Sequence, residues 1–308
     1  MKKIINGFFI GVTVGSVLLI LMAGSLTLLN LYHTYRKQQD QSSQVLSANI
    51  QTSPTPTPQV VSPTPTLNKN PTIVTQAKAV ASNPNSGYCK QIPAIFYHHI
   101  EPLGQAKSEG HAQLTVDSGW FDKQMSYLAS SGYTTITAEQ LAQALKNHQN
   151  LPGKSIVVTV DDGYADIPTY AYPIAQKYHI LLNLMIPTGL LGNKGYMSWD
   201  QLKQMVGSGL AFAYDHTWSH ASLGKAPPSK IQFEVMTAKK QLEDNLGKPV
   251  DIFAYPYGTE GPTVVNFLGS NGFVAAYTTI PGFWQCDSFI MSLHRNRIGN
   301  APLSAYGL

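Results

Sequence analysis

The run Ser155-Ile-Val-Val-Thr-Val160 is apolar or β-branched at every position after its serine, and Asp161-Asp162-Gly163-Tyr164 comes directly after it. A strand without polar alternation is covered on both faces, and such strands belong to parallel sheets flanked by helices. Other strand-like runs occupy 92–97, 133–136, 181–186, 211–214, 252–255, 272–277 and 291–298. Segments with helical spacing lie between them. One spans 119–131, with Phe121, Met125 and Leu128 in register. Another opens at Thr137-Ala-Glu-Gln140, with Thr137 as its cap. Others cover 168–178, 199–206 and 264–269, and a long one covers 230–246 with Phe233, Val235, Met236, Leu242 and Leu246 on its apolar side. This alternation predicts an α/β fold around a mostly parallel sheet. A doubly wound sheet and a (β/α) barrel share the pattern. His98, Asp161, Asp162, His216 and Tyr257 all come just after strand-like runs, and in a barrel the reacting residues come from the C-terminal ends of several strands. That shared placement favours the barrel.

The first 87 residues have a different character. Met1-Lys-Lys3 precedes an uncharged, mostly apolar stretch from Ile4 to Leu31, longer than the roughly 20 residues needed to cross a bilayer. The expectation for 1–40 is a short cytoplasmic N-terminus and a transmembrane anchor. The alternative is a signal peptide, for which Ala23-Gly-Ser25 offers a weak cleavage site. Lys2 and Lys3 face Arg36 and Lys37 across the stretch, so flanking charge discriminates poorly between orientations. Residues 41–87 contain no acidic and no aromatic residue and include Pro54-Thr-Pro-Thr-Pro58 and Pro63-Thr-Pro65. Such a segment cannot bury enough apolar surface to offset its chain entropy. It reads as a disordered, semi-stiff linker reaching up to roughly 140 Å when extended. The folded domain is then 88–308, placed outside the cytoplasm on a single-pass anchor, or secreted.

The formal charge of +4 belongs to the N-terminal part. Up to Gly87 there are six Lys/Arg and one Asp, whereas from Tyr88 onward there are fifteen Lys/Arg and sixteen Asp/Glu. The domain is near neutral and has no basic run, which argues against a nucleic-acid partner and suits a neutral polymer. Cys89 and Cys286 form no C-x-x-C pair. In an exported protein they could close the ends of the domain with a disulfide; the alternative is two unrelated free thiols.

Asp161-Asp162 at one strand end and His216-Thr-Trp-Ser-His220 at another provide what a hydrolytic metal site needs. Such a site takes three hard or borderline ligands, an open coordination position and a separate carboxylate to accept a proton. Taken singly, Asp-Asp-Gly is a common turn, the two histidines could be a surface pair, and Tyr255-Pro-Tyr-Gly258 is an ordinary turn signal. No G-x-S-x-G elbow is present, which disfavours serine hydrolysis.

Taken in order, these motifs resemble the NodB-like polysaccharide deacetylases, in the subgroup acting on N-acetylglucosamine polymers. Ile92-Pro-Ala-Ile-Phe-Tyr-His-His-Ile100 looks like that family's opening strand, and Thr159-Val-Asp-Asp-Gly-Tyr164 is similar to its T-F-D-D-G-Y signature. His216-Thr-Trp-Ser-His220 matches H-T-x-x-H, and Phe253-Ala-Tyr-Pro-Tyr-Gly258 matches the third signature. Gly272-Phe273 with Thr278-Thr279 and Gly282 resembles the family's next stretch of chain. The resemblance implies a (β/α) barrel of about seven strands and one divalent metal ion, usually zinc. It implies hydrolysis of N-acetyl groups on a sugar polymer. Asp162, His216 and His220 would be the ligands and Asp161 the general base, with the Tyr257 N–H stabilising the oxyanion. His294 or His98 would supply the general acid, or Asp161 would act a second time.

Three positions depart from the family pattern. Ala254 stands where many members carry an arginine that holds the base aspartate. Asp215 precedes the first metal histidine, where it could pair with an imidazole N–H or face solvent. Asn183-Leu-Met185 replaces a more usual aromatic run, which reads as a packing change. The leading expectation is an envelope-anchored N-deacetylase of peptidoglycan or a GlcNAc exopolysaccharide. The alternatives are a catalytically weak carbohydrate-binding protein on the same fold and a metal-dependent deacylase of another amide or ester. The sequence names neither the polymer nor the oligomeric state.

Overall fold

The computed structural model describes residues 87–308. The expected anchor or signal peptide, and all of the linker but Gly87, lie outside the described residues. Among the described residues no helix is long and apolar enough to cross a membrane.

Seven parallel strands form the main sheet among these residues. In chain order they are β2 (Ala94–Tyr97), β6 (Ser155–Asp161), β7 (Leu182–Ile186), β8 (Ala211–Asp215), β9 (Ile252–Ala254), β10 (Ala275–Tyr277) and β12 (Asn296–Arg297). Their spatial order is β10-β9-β8-β7-β6-β2-β12, with the two-residue β5 (Thr134–Thr135) paired to the start of β6. The segment leading into β12 bridges back to β10. Leu293 accepts from Thr278 N–H and donates to the Ala276 carbonyl, while Asn296 and Arg297 pair with Ile95 and Phe96 of β2. This last segment therefore touches both edges and curls the sheet into the expected barrel. All seven residues of β6 are buried, as its unbroken apolar run requires.

The helices cover the outside of the sheet: α1 (Leu103–Glu109), α2 (Ser118–Ser130), α3 (Ala138–Lys146), α4 (Tyr172–Tyr178), α5 (Trp199–Gly207), α6 (Pro228–Leu246) and α7 (Pro262–Ser270). Thr137 caps α3 as its sequence predicts: its hydroxyl accepts from Gln140 N–H while the Gln140 side chain accepts from Thr137 N–H. Ser198 and Gln201 repeat this reciprocal cap on α5. Immediately before α4, Ile167–Ala171 winds as a wider π-type turn. On α6 the buried face is Ile231, Glu234, Val235, Ala238 and Leu242. Phe233, expected on the apolar side, is 52% exposed and packs edge-on against Trp218. The helix has rotated that ring toward the loop carrying the two histidines, because Glu234 turns inward to hold the same loop.

Two small sheets stand apart from the barrel. β1 (Cys89–Gln91) pairs antiparallel with β11 (Trp284–Cys286), with Cys89 opposite Cys286, and the two cysteines are joined by a disulfide. β3 (His99–Glu101) pairs in parallel with β4 (Thr115–Asp117). The disulfide is one of the two readings the sequence left open for these cysteines, whereas neither strand pairing was legible, since both use three-residue strands. The predicted strand at 291–298 shortens to β12 because 287–292 winds into a 3₁₀ turn.

Candidate active site and metal centre

Register places the motifs together. Tyr97 pairs with Val160, so the next residues, His98 and Asp161, leave adjacent strands at one level. The Asp162 N–H donates to the Met185 carbonyl and the His216 N–H to the Ile186 carbonyl. Both groups are thus fixed to the end of β7. Asp162, Thr217, His220 and Tyr257 all have φ between 59° and 73°. Left-handed backbone is uncommon in residues other than glycine and clusters at functional sites, where the surroundings hold it in place. Here Glu234 accepts from both the N–H and the hydroxyl of Ser219 (2.8 and 2.7 Å), and Thr217 Oγ1 accepts from Ala221 N–H (3.0 Å). These bonds hold the loop from 216 to 221 in its strained shape.

Asp162, His216 and His220 present one donor atom each to a common point. Asp162 Oδ1 lies 3.4 Å from His216 Nε2 and 3.1 Å from His220 Nε2. It is buried without a hydrogen-bond partner. A buried carboxylate oxygen left unpaired is costly, and this one faces two imidazole nitrogens. Bonds of about 2.0–2.2 Å in tetrahedral array put donors roughly 3.3–3.6 Å apart, so the spacing fits a divalent ion. His216 Nδ1 bonds the Ala254 carbonyl (2.8 Å) and His220 Nδ1 lies 3.2 Å from the Tyr257 hydroxyl. Each contact leaves Nε2 as the ligating nitrogen. Burial works to raise the Asp162 pKa, but the two histidines outweigh it and hold the carboxyl well below its usual range.

Asp161 is held separately. Arg295 Nη1 and Nη2 donate to its two oxygens at 2.7 and 2.8 Å, while Nη1 also donates to Thr159 Oγ1 and Nε to the Thr278 carbonyl. The guanidinium is fully buried and lies over the Phe96 ring. Sequence reasoning misses this residue, because the family pattern points to an arginine at position 254 and a histidine at 294. The closing strand supplies the arginine instead, from the other side of the barrel. The available signal was the alternation of Leu293-His-Arg-Asn-Arg297 at a strand end, where side chains point to opposite faces.

That alternation also places His294. Its ring stacks on Phe289 at 4.8 Å and lies against Gly282, so the structure does not bring it to the cluster. His98 is at the cluster, with Nε2 4.0 Å from Asp162 Oδ2. Burial lowers its pKa, opposed by the nearby Asp161 and Asp162 carboxylates. Tyr257 sits on the Pro256–Gly258 turn with its side chain 68% exposed beside His220. Asp215 does neither of the two things its position suggested. It is fully buried, Oδ1 accepts from Thr217 N–H (2.8 Å), and Oδ2 has no partner. Burial pushes its carboxyl well above the ordinary range. Asn183 is more than a packing change: it accepts from Ala138 N–H and donates to the Val158 and Ile136 carbonyls inside the barrel.

Residues 148–276 match the family model for polysaccharide deacetylase, a span that includes Asp161, Asp162, both metal-facing histidines and the Pro-Tyr-Gly turn. A polysaccharide deacetylase domain therefore lies within this chain. Among solved structures, the chain is similar to the Streptococcus pyogenes deacetylase PplD in complex with acetate. The TM-score is 0.62 at 29% identity, over 67% of this chain and 92% of that one. It is also similar to IcaB from Ammonifex degensii, with a TM-score of 0.58 at 25% identity over 71% and 94%. The poly-β-1,6-N-acetyl-D-glucosamine N-deacetylase of Escherichia coli K12 is 21% identical over 71% of this chain, which spans 38% of that relative.

Proposed function

We propose that this protein is a metal-dependent hydrolase that removes N-acetyl groups from a GlcNAc-containing polysaccharide at the cell envelope. The observation that carries the reading is the buried, unpartnered Asp162 Oδ1 facing His216 and His220. A bound divalent ion, with zinc as the expected one, would polarise the amide carbonyl and acidify water. Asp161 is free of that ligand set and is oriented by Arg295, so it accepts the proton of the attacking water. As water adds to the acetyl carbon, its carbonyl oxygen becomes the oxyanion and takes a hydrogen bond from the Tyr257 N–H. When the C–N bond breaks, acetate leaves from one side and the sugar amine needs a proton. His98, whose Nε2 lies 4.0 Å from Asp162 Oδ2 at the edge of the cluster, is the side chain to which this reading gives that proton. Tyr257, exposed beside His220, offers an aromatic face to the sugar.

The uncharged stretch from Ile4 to Leu31 and the Pro-rich linker support a membrane anchor with a reach suited to peptidoglycan or a surface glycan. The name of the Escherichia coli relative leans toward a poly-GlcNAc polymer. Acetate release should be measured on chitooligosaccharides, poly-N-acetylglucosamine and peptidoglycan, with and without chelator and added zinc. Chelator-sensitive release supports the proposal and names the polymer. Release from aryl esters but from none of the sugars would replace it with another deacylase. Binding without any release would replace it with a carbohydrate-binding role.

A further inference from the structure

Outside the catalytic cluster, one other group among the described residues gathers metal-binding side chains. His99, Glu101 and His111 present donor atoms within 4.8 Å of one another. We propose that these three residues form a second divalent-cation site, distinct from the catalytic one, which pins α1 and the turn after it to the mouth of the barrel.

Glu101 is 1% exposed, and its carboxylate contacts His111 Nε2 directly. A buried carboxylate must be paired with a cation or a donor. His99 is buried as well, and its Nδ1 is held by Asp166, whose other oxygen accepts from Ile100 N–H (3.3 Å). A carboxylate on the far nitrogen of an imidazole fixes its tautomer and orientation at metal sites. With Nδ1 so engaged, Nε2 is the nitrogen left to coordinate. Glu109 lies 3.8 Å from His111 Nε2 and is within reach as a fourth donor. Two imidazoles and carboxylate oxygens suit zinc or manganese rather than calcium or copper(I).

The architecture explains why such a tie would be useful. β3 and β4 are three residues each, and α1 packs only one buried residue, Ala106. This wall therefore has little apolar core of its own. It borders a cleft of about 880 Å³ that Tyr164, Asp166, Tyr170 and Tyr196 also line. The His99 ring is stacked between His111 (4.0 Å) and Tyr164 (3.6 Å), and Tyr164 is two residues from the catalytic ligand Asp162. Shared coordination requires the His111 ring to swing out of the stack. His111 is half-buried and lies on the irregular segment between α1 and β4, outside the apolar clusters, so the swing exchanges its contacts with Glu101 and His99 for the shared ion.

The test is metal counting on the full chain, stripped with chelator and re-equilibrated with zinc or manganese. Wild type should hold two ions per chain, His216→Ala one, His111→Gln one, and the double variant none. His111→Gln should keep its turnover within a few-fold but show a raised KM for the polymer, because the cleft wall is loosened. His111→Asn repeats the test should the glutamine variant misfold, and circular dichroism reports which of the two is folded. One ion in wild type and none in His216→Ala would overturn the second site. One ion that persists in His216→Ala and is lost in His111→Gln would support it while removing the proposed catalytic centre.

Discussion

Arg295 is the residue whose removal tests the site most directly. Its guanidinium makes two charge-assisted bonds to Asp161, one bond each to Thr159 and Thr278, and covers the Phe96 ring, with no exposure to solvent. Arg295→Gln leaves the buried Asp161 carboxylate without its cation. Breaking one partner of a buried ion pair costs about 3–5 kcal/mol. For a domain of this size about 1 kcal/mol moves the melting temperature by roughly 2–4 °C, so the expected fall is roughly 6–20 °C. Arg295→Lys keeps a charge but loses the planar fork that engages both carboxylate oxygens, and should fall in between. Asp161 then sits loosely, and a misplaced base costs about a hundredfold in rate. The assays are a thermal melt and acetate release under saturating substrate, with metal content measured in parallel. Metal content should not change, since Arg295 touches none of the three ligands. Wild-type melting and wild-type turnover in both variants would refute the reasoning.

Three further outcomes rest on the same geometry. Asp161→Asn should keep its metal and lose turnover, whereas His216→Ala should lose both; a fully active Asp161→Asn would remove the base assignment. In metal-stripped protein, the folded His98 binds a proton less readily than the unfolded residue, whose pKa is 6.5. His98 therefore adds a stability that rises with pH below about 6.5 and is level above it. Melting the stripped protein between pH 5 and 8 should show that rise, and His98→Asn should lose its share of it; an unchanged slope would discard the effect. The disulfide joins residues 197 apart, so replacing both Cys89 and Cys286 with serine should cost about 2–5 kcal/mol. Denaturant titration measures this, and an unchanged midpoint would show that the tie adds nothing.

Much of the site was legible because it is local. Asp161-Asp162-Gly, the H-x-x-x-H pair and the Pro-Tyr-Gly turn each lie within a few residues of a strand end. The structure brings them together as their order suggests. The second histidine pair was not legible, because His99 and His111 belong to different short elements with no hydrophobic period to announce them. Phe233 was misplaced because helical spacing alone cannot tell an apolar ring that packs inward from one that packs on a neighbouring loop.

By itself the sequence determined the parallel character of the sheet, the strand-end position of the candidate site residues and the donor set of the candidate metal centre. These depend on side-chain type and period along one stretch of chain. Tertiary structure decided which strand closes the barrel, and with it which of two adjacent residues enters the site. The sequence points to His294 and passes over Arg295, yet the closing segment turns the histidine onto Phe289 and the arginine onto Asp161. The choice depends on register across 134 residues, and only packing of the whole barrel fixes a register. The same closure supplies from the last strand the cation that the chain lacks at Ala254, because a buried carboxylate constrains where a guanidinium must end in space, not where it begins in sequence.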